Sequence, residues 1–250
     1  MAAEGKINAL HQFELTPALG ALGEAVHFSQ STLFMLIAVA LITLLMVAGA
    51  AKGAIVPGRL QALAESAYGF IHEMVTSQIG DEGKRYFPFV FSLFMFVLFG
   101  NMLGMVPYAF TFTSHIAVTF TLAAVVIVIV TIVGLVIHGT HFFSYFLPEG
   151  APPALAPVII PIEIISYLSR PISLSVRLFA NMVAGHVMLM VFATFVVMIG
   201  GMGVVGYVGA TLPMALNVAL VGFEFLVAFL QAYVFAILTS IYLHDAVHLH

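Results

Sequence analysis

The stretch SLSVRLFANMVAGHVMLMV, residues 173–191, decides the fold, because it is an apolar segment of membrane-helix type that contains a cation. Arg177 is its only charged residue, and Asn181 and His186 are its other large polar side chains. An arginine at the centre of a membrane helix costs about 2.5–3.5 kcal/mol on insertion scales, and the guanidinium does not lose its charge. Such a cation either pairs with a structural anion or acts on an anion that comes and goes.

The composition is that of a membrane protein. Of 250 residues, 62% are hydrophobic and only 7% are charged, whereas soluble domains have roughly 25% charged residues. So few charges cannot cover a surface that faces water, so we expect a polytopic membrane protein. The net charge of −4 gives no indication of nucleic-acid binding. The absence of cysteine excludes disulfides and thiolate metal sites.

The hydrophobic pattern predicts a single all-α membrane domain with about five membrane-embedded helices and one amphipathic helix on the membrane surface. In the amphipathic segment, apolar residues recur at helical spacing and polar residues lie elsewhere; the apolar residues are Leu60, Leu63, Ala67, Phe70, Ile71 and Met74. The predicted segments are an external N-terminal segment (1–30), a first span (31–51), the amphipathic helix on the cytoplasmic side (58–79), a helical hairpin (87–109 and 115–137), a cytoplasmic loop (138–160) and a long hairpin (161–245).

The basic residues predict the orientation. Lys52, Arg59, Lys84 and Arg85 all lie between the first and second spans, and cytoplasmic segments of membrane proteins are enriched in lysine and arginine. We therefore expect this segment to lie in the cytoplasm. The N-terminus is then outside, and counting five spans places the C-terminus inside. The first 28 residues do not have the pattern of a cleaved signal peptide.

The last two apolar segments are too long for ordinary spans. Residues 161–200 as one helix would run about 60 Å at about 1.5 Å per residue, against a hydrocarbon thickness of about 30 Å. We expect a steeply tilted hairpin that folds at the glycines of GGMGVVG. The alternative is an interfacial helix joined to a normal span, with a break or kink such as Pro171 can produce.

Folding the hairpin at these glycines brings polar residues of the two arms to similar depths. On the second arm Asn217, Glu224 and Gln231 are seven residues apart and share one helix face. Small residues near Arg177 would let another helix approach closely, namely Ser173, Ala180, Ala184 and Gly185. The pairs predicted at equal depth are Arg177 with Gln231, His186 with Glu224, and Glu163 with Asp245.

Two interpretations of Arg177 remain open at this point. A structural ion pair needs an acid nearby, and the one intramembrane candidate, Glu224, lies about seven residues away in depth. Alternatively, the counter-ion belongs to another subunit. A cation about 4 Å from a carboxylate favours ionisation by about 4 kcal/mol at an effective dielectric constant near 20. Titratable residues then form two half-paths, with His186 and Glu224 on the outer side of the arginine and Glu163 and Asp245 on the inner side.

Three segments resemble one family closely. SLSVRLFANMVAGH (173–186), the upstream PIEIISYLSRPISLS and the downstream EFLVAFLQAYVFAILTSIYL are similar to the subunit a family of rotary ATP synthases, the membrane stator of the Fo sector. The resemblance is of the alphaproteobacterial and mitochondrial type, and it covers the chain from about residue 30 to the end. It implies a proton-translocating stator that is not itself catalytic. The implied partners are the c-ring, subunit b of the peripheral stalk and the whole complex, in a bacterial inner membrane or, less favoured, a mitochondrial one.

The resemblance also implies a role for each matching residue. Arg177 matches the arginine that faces the carboxylate of the c-ring, and Asn181 and Gln231 match polar residues near its depth. His186 and Glu224 match the outer half-channel pair, although many bacterial members have the glutamate on the first arm and the histidine on the second. Glu163 and Asp245 look like the inner half-channel acids. Ser173, Ala180 and Ala184 would face the rotor.

Two other classes of protein compete with this interpretation. A proton- or ion-coupled transporter would also place Arg, His and Glu at mid-membrane, but it usually has two related halves, and no repeat is visible. An intramembrane metalloenzyme would use some of the ten histidines. HEMVT at His72 lacks the second histidine of the H-E-x-x-H zinc pattern, and we interpret the HGTH and HDAVHLH segments as loop and solvated tail. We therefore expect neither a cofactor nor a metal.

Overall fold

Every element that the computed structural model describes is helical, which confirms the predicted all-α fold. The structure describes residues 29–51, 53–106, 109–146 and 155–248. Most of the predicted N-terminal segment, Lys52 and part of the predicted 138–160 loop lie outside these residues. The α-helices are α1 (Gln30–Ala50), α2 (Arg59–Ile79), α3 (Phe87–Gly104), α4 (Ile116–His138), α5 (Ala156–Gly200) and α6 (Val204–Val247), and short 3-10 helices span Asp81–Arg85, Phe112–Ser114 and Gly139–Phe146.

Five helices in the described part of the chain are long and apolar enough to cross a membrane, as the sequence predicts. They are α1, α3, α4, α5 and α6, and the spans of α1, α4 and α5 bury only a small share of their residues within the chain. Large apolar side chains are therefore exposed on most of the helices. Lipid and other membrane helices are the surroundings in which such a surface is stable.

Helix α2 is amphipathic, but its apolar residues serve two surfaces. Ile71 and Met74 are buried where α2 packs against α1, α3 and α6, whereas Leu60, Leu63 and Phe70 are exposed. The sequence pattern places these five residues, together with Ala67, in one apolar stripe on the membrane surface. In the structure, part of the stripe packs into the helical bundle and part is exposed on the surface of the chain. Helix α2 is therefore packed against the spans.

Residues of α2 to α6 form the core, and α3 and α6 contribute most of them. Ala228, Ala232 and Ala236 recur every four residues on α6 and are all fully buried. Such a line of small side chains lets a neighbouring helix approach closely, and here α3 fills the space with Phe94 and Met95. This contact fixes the position of α6, which carries the polar residues of the hairpin.

Helices α5 and α6 pack against each other along a hairpin. Their 45 and 44 residues correspond to about 65 Å each at about 1.5 Å per residue, so both fit within a bilayer only when they are steeply inclined. The chain reverses at Gly203, whose φ of 87° is strained for other residues. Helix α5 is continuous through Pro161 and Pro171, so no break separates an interfacial helix from a span.

Helix α5 begins earlier than the sequence predicts. Its first residue is Ala156, whereas the proline-rich sequence predicts a loop that continues to residue 160. Pro157 lies in the first turn, where the backbone N–H has no helical acceptor and proline is tolerated. Helix α3, by contrast, ends at Gly104, before the predicted boundary at residue 109.

Candidate functional site

Arg177 is exposed on the surface of the chain. The neighbouring side chains Leu174, Leu178 and Met182 are buried, and they hold α5 against the bundle. Within the described part of the chain, no carboxylate lies within ion-pairing distance of the Arg177 guanidinium. The cation is therefore presented outward, and the described residues supply no structural ion pair for it.

Small side chains surround this arginine on the same side of α5. Ser173, Ala180, Asn181 and Ala184 are all exposed, as the spacing of these residues predicts for one helix face. The side chains beside Arg177 are therefore short, and the arginine side chain extends beyond them. A helix of another subunit could therefore approach the α5 backbone closely.

His186 and Glu224 lie together, as their predicted depths require. The His186 Nδ1 atom is 2.7 Å from Glu224 Oε1, and only 14% and 5% of the two side chains are exposed. Nδ1 also contacts the Met182 carbonyl oxygen at 3.0 Å, and neither Glu224 oxygen has a hydrogen bond with good geometry. The pair is thus a close electrostatic contact whose carboxylate retains free hydrogen-bonding capacity.

Gly185 makes this contact possible. A Cβ atom at this position would lie 2.7 Å from Glu224 Oε1 and 3.0 Å from the carboxyl carbon. These distances are shorter than an ordinary van der Waals contact. The glycine therefore leaves the space that the Glu224 carboxylate occupies beside α5.

The other ring nitrogen of His186 contacts the turn that follows α3. His186 Nε2 lies 3.0 Å from Thr111 Oγ1 and 3.0 Å from the Gly104 carbonyl oxygen, and the Thr111 hydroxyl itself donates to that carbonyl. The ring satisfies these contacts and that with Met182 when both nitrogens carry hydrogen. Sequence reasoning missed Thr111, because a contact over 75 residues leaves no signal in local spacing.

Asn181 and Gln231 connect the two arms near the depth of Arg177. Asn181 Nδ2 donates to Gln231 Oε1 at 2.8 Å, and Gln231 is buried with a side-chain N–H that has no hydrogen-bond acceptor in the described residues. Both residues line a cleft of about 400 Å³ between α5 and α6, as do Gly185 and Glu224. The cleft therefore extends from the level of Glu224 to one helical turn from Arg177.

The inner end of the hairpin differs from the predicted pairing. Asp245 Oδ2 accepts a hydrogen bond from Arg170 Nη1 at 3.2 Å, whereas the sequence predicts Glu163 at the depth of Asp245. Glu163 is half-buried and has no ion-pair partner among the described residues. The prediction assumes that α5 and α6 stay aligned as they are at the turn. In the structure, the α5 residue that contacts a given α6 residue lies a few positions later in the sequence than this alignment predicts, and the difference grows toward the inner end.

Comparison with known proteins assigns the family. The family model described as ATP synthase A chain matches residues 32–244. The chain belongs to the ATP synthase subunit a family. Members of this family are membrane subunits of the Fo sector that take part in proton transport and do not catalyse ATP formation themselves, and the predicted class is confirmed.

Close relatives cover the chain from end to end. It is 63% identical to an ATP synthase subunit a from Granulibacter bethesdensis over 251 residues, which is 100% of both chains. It is 58% identical to the subunit from Acidiphilium cryptum over 100% of both chains. It is 52% identical to that from Bradyrhizobium diazoefficiens over 97% of this chain and 98% of the relative. The expected likeness to alphaproteobacterial members is confirmed.

Proposed function

We propose that this subunit provides two offset proton half-paths separated by Arg177. The observation that carries the proposal is the exposed Arg177 guanidinium, which has no acidic partner in the described part of its own chain. A cation held in this way is available to a carboxylate that passes on another subunit. We take that subunit to be a rotor ring of c subunits, which moves against the small-residue face of α5.

The outer half-path uses His186 and Glu224. Protons enter from outside, reach this buried pair and neutralise a carboxylate of the ring. The neutral carboxyl group can then move through lipid, because an acid without charge costs far less to bury than its anion. The cleft beside Glu224 and Gln231 provides the space in which the transfer takes place.

The inner half-path begins where the ring carboxyl group approaches Arg177. At about 4 Å a cation favours the ionised acid by about 4 kcal/mol at an effective dielectric constant near 20, which is about three pKa units. The carboxyl group therefore loses its proton there, and the proton leaves toward the inner side past Glu163 and Asp245. Arg177 also repels protons, so the two half-paths do not join into one conducting channel.

The membrane, the orientation and the partner subunits that we propose follow from this role. We place the subunit in a bacterial inner membrane with its N-terminus outside and its C-terminus inside, next to the c-ring and to subunit b of the peripheral stalk. Each proton that crosses supplies about 2.3 kcal/mol per 100 mV of membrane potential. Rotation of the ring carries this energy to the soluble sector, where ATP is made.

Replacement of Arg177 tests the proposal. Arg177→Ala should abolish proton-driven ATP synthesis while the complex still assembles, because the substitution removes a surface cation and no internal ion pair. Arg59→Ala is the matched control, since Arg59 is also an exposed arginine but lies at the start of α2. ATP synthesis in inverted membrane vesicles, normalised to assembled complex, is the measurement. Coupled synthesis at the control rate in Arg177→Ala would refute the proposal.

A further inference from the structure

A second arginine of α5, Arg170, lies in a compact cluster at the inner end of the hairpin. Its Nη1 atom is 3.2 Å from Asp245 Oδ2 on α6, with side-chain exposures of 19% for Arg170 and 31% for Asp245. The guanidinium carbon lies 4.9 Å from the centre of the Tyr242 ring and 5.6 Å from that of Tyr167. A cation over aromatic rings gains further attraction from their faces, so Arg170 is held by several contacts at once.

The cluster joins three helices. Tyr167 on α5 and Thr131 on α4 share a hydrogen bond of 2.6 Å between their hydroxyl groups, while Tyr242 and Asp245 come from α6. Arg170 therefore sits where α4, α5 and α6 meet. It lies seven residues before Arg177, on the same face of α5 and about two turns away.

The side chains of the cluster enclose little space between them. A cavity of about 10 Å³ lies between Tyr167, Arg170, Tyr242 and Asp245, which is room for one water molecule at most. Asp245 is itself 31% exposed, so the feature that sets it apart is the guanidinium group held against it. This contact assigns Asp245 the role of a counter-ion.

Glu163 has the opposite surroundings. It lies one further seven-residue step before Arg170 on α5, is half-buried, and has no ion pair with any residue in the described ranges. The two inner acids, which the proposed function treats together, therefore differ in their partners.

We infer that Glu163 alone exchanges protons on the inner side, and that Asp245 is the fixed counter-ion of the positioning residue Arg170. The pair holds the inner ends of α5 and α6 in the register that presents Arg177. This inference rests on the proposed function and narrows its inner half-path: Glu163 passes the proton on, and Asp245 lies beside that path as a counter-ion. The pair contributes to coupling through its geometry.

A double-mutant cycle in the assembled complex separates a counter-ion from a proton carrier. Asp245→Asn removes the carboxylate that contacts Arg170, and Arg170→Gln leaves Asp245 with the adjacent His244 ring, 3.8 Å away. Each should lower proton conductance per assembled complex by about fivefold or more, because breaking a partly buried pair is costlier than removing it. The double variant should recover conductance to within about twofold of the unmodified complex, since neither member of the pair is then left without the other.

A proton-carrying Asp245 gives a different result. The double variant would then conduct no better than Asp245→Asn, and the inference would be wrong; unchanged conductance in Asp245→Asn alone would overturn it too. Arg170→Lys, which keeps the charge, should retain several times the conductance of Arg170→Gln. Glu163→Gln should lose conductance that no change at Arg170 restores. The two proposals can fail separately. If Arg177→Ala still made ATP and the double variant still recovered conductance, the proposed function would be wrong, whereas the pairing of Arg170 with Asp245 would remain supported.

Discussion

The substitution Gly185→Ala tests whether the position of Glu224 controls proton entry. The new Cβ would lie 2.7 Å from Glu224 Oε1, about 0.7 Å closer than an ordinary contact of roughly 3.4 Å. Glu224 is the flexible end of a side chain on α6, so we expect the carboxylate to move away rather than the helices to separate. The movement increases its distance from His186 Nδ1, which is 2.7 Å in the structure.

The expected magnitude follows from this distance. If the separation of the two charges grows by about 0.7 Å, the attraction between a protonated His186 and the Glu224 carboxylate falls by about 1 kcal/mol at an effective dielectric constant near 20. That corresponds to roughly a fivefold change in the proton affinity of the pair. Stability should change little or rise, because alanine is favoured over glycine in a helix by about 1 kcal/mol.

Proton conductance of the Fo sector in membrane vesicles, normalised to assembled complex, measures the effect. Gly222→Ala is the matched control, because Gly222 is also helical but a Cβ there would meet no atom within 4 Å. We expect Gly185→Ala to conduct several times more slowly than Gly222→Ala, with unchanged assembly. Equal conductance in the two variants would refute the link between Glu224 placement and proton entry, and failed assembly would refute the expected movement of the side chain.

Two further predictions concern stability. Gly100→Ala would place a Cβ 2.5 Å from the buried Phe112 ring; the purified complex should therefore lose about 1–3 kcal/mol in thermal unfolding, whereas Gly69→Ala, with open space at its Cβ, should not. Burial lowers the pKa of His115, which stacks on Phe110 at 5.2 Å. The unfolded chain then binds a proton at His115 more readily than the folded chain does. The free energy of unfolding therefore falls as the pH drops below the ordinary histidine pKa near 6.5. His115→Phe should flatten this acid-side loss in thermal unfolding between about pH 7 and 5, and an unchanged pH slope would contradict the assignment.

The features that the sequence predicts well are periodic or local. Apolar runs of membrane length predict the five spans, and the glycines around Gly203 predict where the long hairpin reverses. The depth rule for a hairpin places His186 beside Glu224, because both lie close enough to the turn for a small register error to matter little. Composition alone indicates that most of the surface does not face water.

The features that the sequence does not predict depend on packing between distant segments. The register of α5 against α6 drifts with distance from the turn, and this drift places Arg170 rather than Glu163 beside Asp245. The contact of Thr111 with His186 depends on how the turn after α3 packs against α5. No spacing within either segment encodes these contacts, so they follow only from the assembled bundle.

Disulfide cross-linking tests the central claim most directly, since the chain contains no cysteine of its own. Asn181→Cys, one turn from Arg177, should form a disulfide with a cysteine placed beside the proton-carrying carboxylate on the outer helix of the c-ring. Ile172→Cys is the control, because it is 54% exposed but lies nine residues away, on the opposite face of α5. The proposed mechanism predicts rapid cross-linking at position 181 and none at position 172. Cross-linking at 172 with none at 181, in assembled enzyme, would place Arg177 away from the rotor and contradict it.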